Sequence, residues 1–331
     1  LHQYGRSDEC TGGWPMIAYI LNRIALMIPT LLGIALITFV MIRIVPGDVV
    51  ELKMRSDGGR VTQQQINDER ARLGLDRPLP EQFLGWMKGI VTLDFGYSMW
   101  TGRPVAHEIG ERIGLSIQVA VMAAIIALVI AVPLGTISAL FRDSALDYVF
   151  RIVTIAGLAV PSFWLGMIII LVLLTFFRWS PPVTYVSIFE DPVKNLSQLI
   201  WPSLAVGYRY AAVVARMIRS SIIEVMQDDY IRTARAKGVA EFSVVIKHAM
   251  RNALLPAVTI IGLEFAFLIG GLVVTEQVFN LNGIGRLFVD AVIRHDFILI
   301  QTLVFLLAII FVSVNLIVDL VYGLLDPRTR L

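Results

Sequence analysis

Long apolar runs alternate along this chain with shorter polar stretches. A helix that crosses about 30 Å of hydrocarbon needs roughly 20 mostly apolar residues. Five runs meet that length: 24–45, 117–140, 152–177, 254–279 and 298–325. A sixth, WPSLAVGYRYAAVVARMIRSSII at 201–223, is interrupted by Arg209 and Arg216. Arg209 lies roughly 12 Å along a helix from Trp201, close to mid-depth. A lipid-facing arginine there costs about 2.5–3.5 kcal/mol. The Ala and Gly around it suit close helix contact, so the pattern predicts a span sheltered by protein or water. The fold class expected is therefore an all-α integral membrane protein with six transmembrane helices. Pro29, Pro133 and Pro161 fall inside spans, where membrane helices tolerate kinks.

Two polar stretches show local pattern. In 46–116, Thr62 and Gln65 fit a capping box that opens a short helix over 63–73, ended by Gly74. DRPLP at 76–80 reads as a turn, and 83–98 alternates apolar and polar residues in a way that suits a membrane interface. His107, Glu108 and Glu111 read as a solvated helix face rather than a metal site. The second stretch contains DDYIRTARAKG at 228–238. Asp228 and Asp229 suit a helix N-terminus, Arg232, Arg235 and Lys237 its C-terminal end, and Gly238 the position just beyond. A short helix is expected over 229–237. Phe242, Val245, Ile246, Ala249, Met250 and Ala253 then form the apolar stripe of a second helix. A loop resting on anionic lipid would use only the positive charge of this unit. A docking surface would also use the glycine break and the stripe.

Composition narrows the class. Of 331 residues, 56% are hydrophobic and only 16% charged, against roughly 25% charged in soluble domains. The net charge of +2 is too small to suggest a nucleic-acid partner, and Cys10 alone excludes an internal disulfide framework and a multi-cysteine metal site. His2, His107, His248 and His295 are scattered, and no Gly-Lys pair occurs, so no phosphate-cradling P-loop exists. No enzyme is expected, which leaves transport, signalling or assembly; a receptor or assembly protein that recruits a soluble partner is the competing class. Basic residues concentrate between Arg209 and Arg251, which places that side, and both termini, in the cytoplasm. Residues 1–15 are polar, lack an apolar signal segment and read as an extension or a misassigned start. The expected divisions are this extension, a first transmembrane helix over 16–45, an extracytoplasmic segment over 46–116, and a core of five further helices over 117–331.

Several stretches together resemble one family. They are YILNRIALMIPTLLGIALITFVMIRIVPGD at 19–48, LDFGYS at 93–98, VPLGTISAL at 132–140, VPSFWLG at 160–166, NGIGRLFVDAVIRHDF at 282–297 and NLIVDLVYGLLDPRTR at 315–330. With DYIRTARAKG and the later Leu255-Pro256, they resemble permease subunits of binding-protein-dependent ABC importers, of the dipeptide/oligopeptide/nickel type. The resemblance implies that 224–256 is the family's cytoplasmic EAA loop, with Arg232-Thr233-Ala234 where Glu-Ala-Ala stands elsewhere. Tyr230, Arg232, Thr233, Ala234, Arg235, Ala236, Lys237 and Gly238 would then couple to an ATPase. It further implies a bacterial inner-membrane location, a second permease subunit (usually a different one), two cytoplasmic ATPase subunits that bind the ATP and Mg, and an extracytoplasmic binding protein. The cargo expected is di- or oligopeptide, with nickel, opine, glutathione or sugar as alternatives. Arg209, Arg216 and Glu264 are the intramembrane polar candidates. Glu264 stands where the family leads one to expect a neutral polar residue. It would either pair with Arg209, Arg216 or a partner subunit, or line the pathway and meet a substrate amine.

Overall fold

In a computed structural model, the structure describes residues 14–44, 50–51, 54, 62–72, 74–182 and 184–325. Residues 1–13, the VPGD that ends the first motif and the DPRTR that ends the last lie outside them. The described chain is helical. The longer elements are α1 (Trp14–Ile44), α2 (Gln63–Arg72), α3 (Leu79–Thr92), α4 (Val105–Leu140), α5 (Ala145–Ala159), α6 (Ser162–Phe177), α7 (Pro192–Val225) and α8 (Asp229–Ala236). They are followed by α9 (Glu241–Val278), α10 (Ile284–Ile293) and α11 (Phe297–Leu325).

Among the described residues, α1, α4, α9 and α11 are long and apolar enough to cross a membrane. The α5–α6 pair makes a fifth if counted as one broken span. Two of the six expected spans are met only in part. The run over 152–177 is not a straight helix: α5 and α6 meet at 105°. Pro161 is the cause, since it lacks an N–H and biases Val160 to the extended conformation it adopts, φ −86° and ψ 122°. And α7, the expected sixth span, is 34 residues long but too polar to meet the same measure.

α7 is nonetheless the centre of the bundle. Ala123, Ala127, Ala131 and Gly135 line one face of α4 at four-residue spacing, all buried, against Gly207, Ala211 and Ala215 of α7. A Cβ on Gly207 would lie 2.8 Å from the Ala123 carbonyl oxygen, and one on Gly135 would lie 2.6 Å from that of Ala215. The helices approach until only glycine fits, which gives dispersion contact without needing a hydrophobic drive between helices in lipid. α7 also packs on α9, α5 and α6.

At one end of the bundle lie α2 and α3; α8 marks the other. The capping box at Thr62 forms: its N–H donates to Gln65 Oε1 at 3.0 Å, and Thr62 Oγ1 accepts from the Gln65 N–H at 3.4 Å. α2 ends at Arg72, with Gly74 at φ +67°. The alternating stretch over 83–98 is helical as far as Thr92, and Trp86 of α3 packs edge-on to Phe305 of α11 at 5.5 Å. α4 begins at Val105, well before Ile117, so part of the expected extracytoplasmic segment belongs to a long helix. Glu108 also departs from expectation: it is 2% exposed and paired with Arg112 at 2.6 Å, while His107 and Glu111 are exposed.

Candidate functional site

The chain leaves α7 at Val225 and enters α8 after three residues. Asp228 takes the N-cap position in extended backbone without a side-chain cap bond. Helix α8 stops one residue before the expected boundary, with Lys237 as C-cap and Gly238 at φ +76°. The Gly238 N–H donates to the Arg235 carbonyl at 2.9 Å and the Val239 N–H to that of Ala234 at 3.3 Å. This pair of bonds is a Schellman stop, for which a left-handed residue is required. Open space surrounds Gly238, so the demand on glycine is conformational, not steric.

The elbow closes on a small core of its own. Ile231 and Ala234 of α8 are buried against Val244 and Ala249 of α9, with Val225, Met226 and Val239 at its edge. Arg235 spans the elbow with two bonds to Glu241, Nη2 to Oε1 at 2.6 Å and Nε to Oε2 at 3.1 Å. That carboxylate raises the Arg235 guanidinium above its ordinary pKa. The Tyr230 hydroxyl accepts from Asn252 Nδ2 at 2.8 Å and lies 3.4 Å from the His248 carbonyl. Thr233 Oγ1 donates to the Asp229 carbonyl at 2.9 Å. Arg232, Ala236 and Lys237 are exposed.

The expected stripe on the second helix is only half buried. Residues Val244–Ala249 form a π-helical turn, which is wound more widely than an α-helix. It turns Val244, Val245 and Ala249 inward and leaves Phe242 and Ile246 outside, 77% and 42% exposed. A sequence stripe drawn at 3.6 residues per turn misses that shift. The unit thus shows Phe242, Ile246 and Tyr230 outward, among Arg232, Lys237 and Lys247.

The intramembrane candidates lie elsewhere. Arg209 and Arg216 are seven residues apart and both exposed, on the line of α7 that the described residues cover least. Arg209 Nη1 is 3.8 Å from Glu264 Oε2 of α9; Arg216 instead lines a small cavity with Arg151 and Arg219. So the structure brings Arg209, and not Arg216, to Glu264.

Three buried carboxylates escaped the sequence reading. Asp147 is fully buried and takes two bonds from Arg219, at 2.8 and 2.7 Å, and one from Ser138. Glu276, also fully buried, accepts from Ser116 Oγ at 2.6 Å and from the Arg286 N–H at 3.0 Å, at the start of α10. A Cβ on Gly283 would collide with that carboxylate, which explains the glycine in NGIGR. Asp296 caps α11 through the Leu299 N–H at 3.2 Å and accepts from Ser98 Oγ, so LDFGYS and RHDF are two halves of one contact. Arg23 of α1 meets Asp319 of NLIVDLVYG at 2.9 Å. Arg219, Ser116, Ser98 and Asp319 each lie far along the chain from the group they meet, and no local pattern announces them.

A family model described as the inner membrane component of binding-protein-dependent transport systems matches residues 131–331, and a second, for the N-terminal part of such components, matches 16–120. The chain belongs to this family. It is 38% identical over 315 residues to the glutathione transport system permease protein GsiC of Pectobacterium atrosepticum, covering 95% of this chain and 99% of that one. The GsiC of Escherichia coli K12 and a Brucella abortus permease protein named for peptide transport match to the same extent. This chain is accordingly an ABC-importer permease subunit, not an enzyme, and a multi-pass membrane protein.

Proposed function

We propose that this permease forms half of a translocation pathway for small peptides, with glutathione as the first cargo to test. Glutathione ranked only among the alternatives on sequence; relatives at 38% identity named for glutathione now weigh at least as much as those named for peptide. α7 is the sixth span, its two arginines sheltered because a second permease covers the open face. The α8 end and both termini are cytoplasmic, and 46–116 faces the binding protein.

The α8–α9 elbow is the ATPase-coupling site, with Tyr230, Arg232 to Lys237 and Gly238 as its working residues. One observation carries this assignment: an internally bonded elbow that turns a large aromatic, Phe242, outward at 77% exposure. An apolar side chain held out on a braced unit fits a groove in another protein, where buried aromatics dominate binding energy. Two ATPase subunits supply ATP and Mg; this chain supplies the lever.

Phe242→Asp tests it. Because Phe242 buries little in this chain, folding and membrane insertion are expected to stay normal, while ATPase subunits retained on purification fall roughly 10-fold. Glutathione and dipeptide uptake in proteoliposomes should fall with them. Full retention and uptake in Phe242→Asp would remove the elbow from the coupling role.

A further inference from the structure

Arginines gather where α4, α5 and α7 meet, at the end of the bundle that leads into α8. One cavity there, about 290 Å³, is lined by Arg151 of α5 with Arg216 and Arg219 of α7, and its wall holds no carboxylate. A second, about 330 Å³, shares Arg151 and Arg219 with the first and adds Arg142 and Asp143 from the α4–α5 turn. Two of these four cations already have partners. Arg219 is bonded to the fully buried Asp147, and Arg142 lies 3.2 Å from Asp143. Among the described residues, Arg151 and Arg216 pair with no carboxylate, and both are exposed. The surplus is of one sign and open to a guest, so the guest is an anion.

Position says which anion. Arg142 lines the second cavity together with Ile223, in the last turn of α7, so the cleft lies where the bundle leaves the membrane. Beside it α5 turns Val149, Ile152 and Ile155 outward, the last two 67% and 61% exposed. Ile155 also lines the arginine cavity, with Leu134 and Phe150. The cationic cleft is therefore continuous with an apolar helix face that no other element covers. A soluble anion would leave that face bare; an anion with hydrocarbon chains meets both. Basic pockets between helices on the cytoplasmic side suit anionic headgroups, and that leaflet carries the negative lipid. A phosphate diester also presents the oxygen pair that a guanidinium fork fits.

We propose that the cleft between α5 and α7 holds the phosphate of one anionic glycerophospholipid of the cytoplasmic leaflet. Its oxygens accept from Arg151 and Arg216, and its chains run along Val149, Ile152 and Ile155. Arg216 also belongs to the line of α7 assigned to the second permease, so the lipid sits at the seam between the two subunits. The choice of leaflet rests on the cytoplasmic placement of the α8 end. Binding itself needs neither that placement, nor the coupling role of the elbow, nor any particular cargo.

Native mass spectrometry of the full chain with its partner subunits, released from nanodiscs of mixed phosphatidylglycerol and phosphatidylethanolamine, tests it. One phosphatidylglycerol per copy should survive activation in preference to phosphatidylethanolamine, and Arg151→Gln should lower its occupancy about tenfold. Arg151 is exposed, so this variant is expected to fold. A photoreactive phosphatidylglycerol on the unaltered protein should label α5 beside Ile152 and Ile155, which needs no variant at all. Equal retention of the two lipids, unchanged retention by Arg151→Gln, or labelling confined to other helices would each overturn the proposal. So would displacement of the lipid by inorganic phosphate or by glutathione: the first would make the cleft a site for soluble anions, the second a site for cargo carboxylates.

Discussion

Glycine does two different jobs in this chain, and substitution separates them. At Gly238 a Cβ meets nothing within 4 Å, but the backbone sits at φ +76°. Gly238→Ala should therefore cost about 1–2 kcal/mol, the penalty of a left-handed non-glycine residue, confined to the elbow. The bundle should melt normally while ATP hydrolysis runs on without uptake. At Gly207 the backbone is ordinary helix, but a Cβ would press on the Ala123 carbonyl at 2.8 Å. Gly207→Val should force α4 and α7 apart and lower stability by about 1–3 kcal/mol or more, seen as earlier thermal aggregation. Buried carboxylates behave differently again. Asp147→Leu strips Arg219 of its two bonds to a carboxylate and leaves it only the one to Ser138 Oγ, and breaking a buried pair from one side costs about 3–5 kcal/mol. Arg219 keeps some solvent contact, so the low end is expected, and Asp147→Leu/Arg219→Met should recover most of it in the same melt.

Among the elements, the elbow is held by a pair that is strong in geometry and modest in energy. Arg235 and Glu241 are both more than one-third exposed, and such pairs contribute about 0.2–1 kcal/mol. On the proposed coupling role, what the pair supplies is alignment of α8 with α9. Arg235→Glu should weaken coupling of hydrolysis to uptake, and Arg235→Glu/Glu241→Arg should restore a large part of it; a swap that restores nothing would mean the guanidinium contacts the ATPase directly. The elbow also shows what sequence can reveal. Asp229, Gly238 and the charge gradient between them mark the first helix to within a residue, because capping is local. The π turn at Val244–Ala249 is invisible to a periodicity argument that assumes 3.6 residues per turn. α1, α4, α9 and α11 are legible from length and hydropathy alone. The 105° turn at Pro161 is not, because a proline in lipid is compatible with a kink, a straight helix or a break, and tertiary packing decides. Glu108 reads as solvated from the His107, Glu108 and Glu111 cluster because Arg103 and Arg112, which pair with it, lie outside that cluster.

At the scale of the whole molecule, the chain is finished on one side only. α7 is packed against α4, α5, α6 and α9, yet along its line of Arg209, Val213, Arg216 and Ser220 the described residues leave all but Val213 exposed, and α9 shows Leu263 and Phe267. Arginines at that depth in lipid are costly, so the open line must meet protein or water. If it borders a pathway that opens alternately to the two sides, its accessibility changes with nucleotide state. Cys10 is the single cysteine, so Cys10→Ser/Val213→Cys gives one reporter on that line. In the assembled transporter, a bulky impermeant thiol reagent applied from the α8 side should modify Cys at position 213 in the nucleotide-free state. Trapping the ATPases closed should slow that reaction at least about tenfold, while a reporter at Phe176, exposed on α6 and remote from the line, should not change. Equal labelling in both states would mean that the line faces a fixed subunit contact. Arg209 and Glu264 would then be a structural pair at a permease–permease interface, and the substrate path would have to run elsewhere.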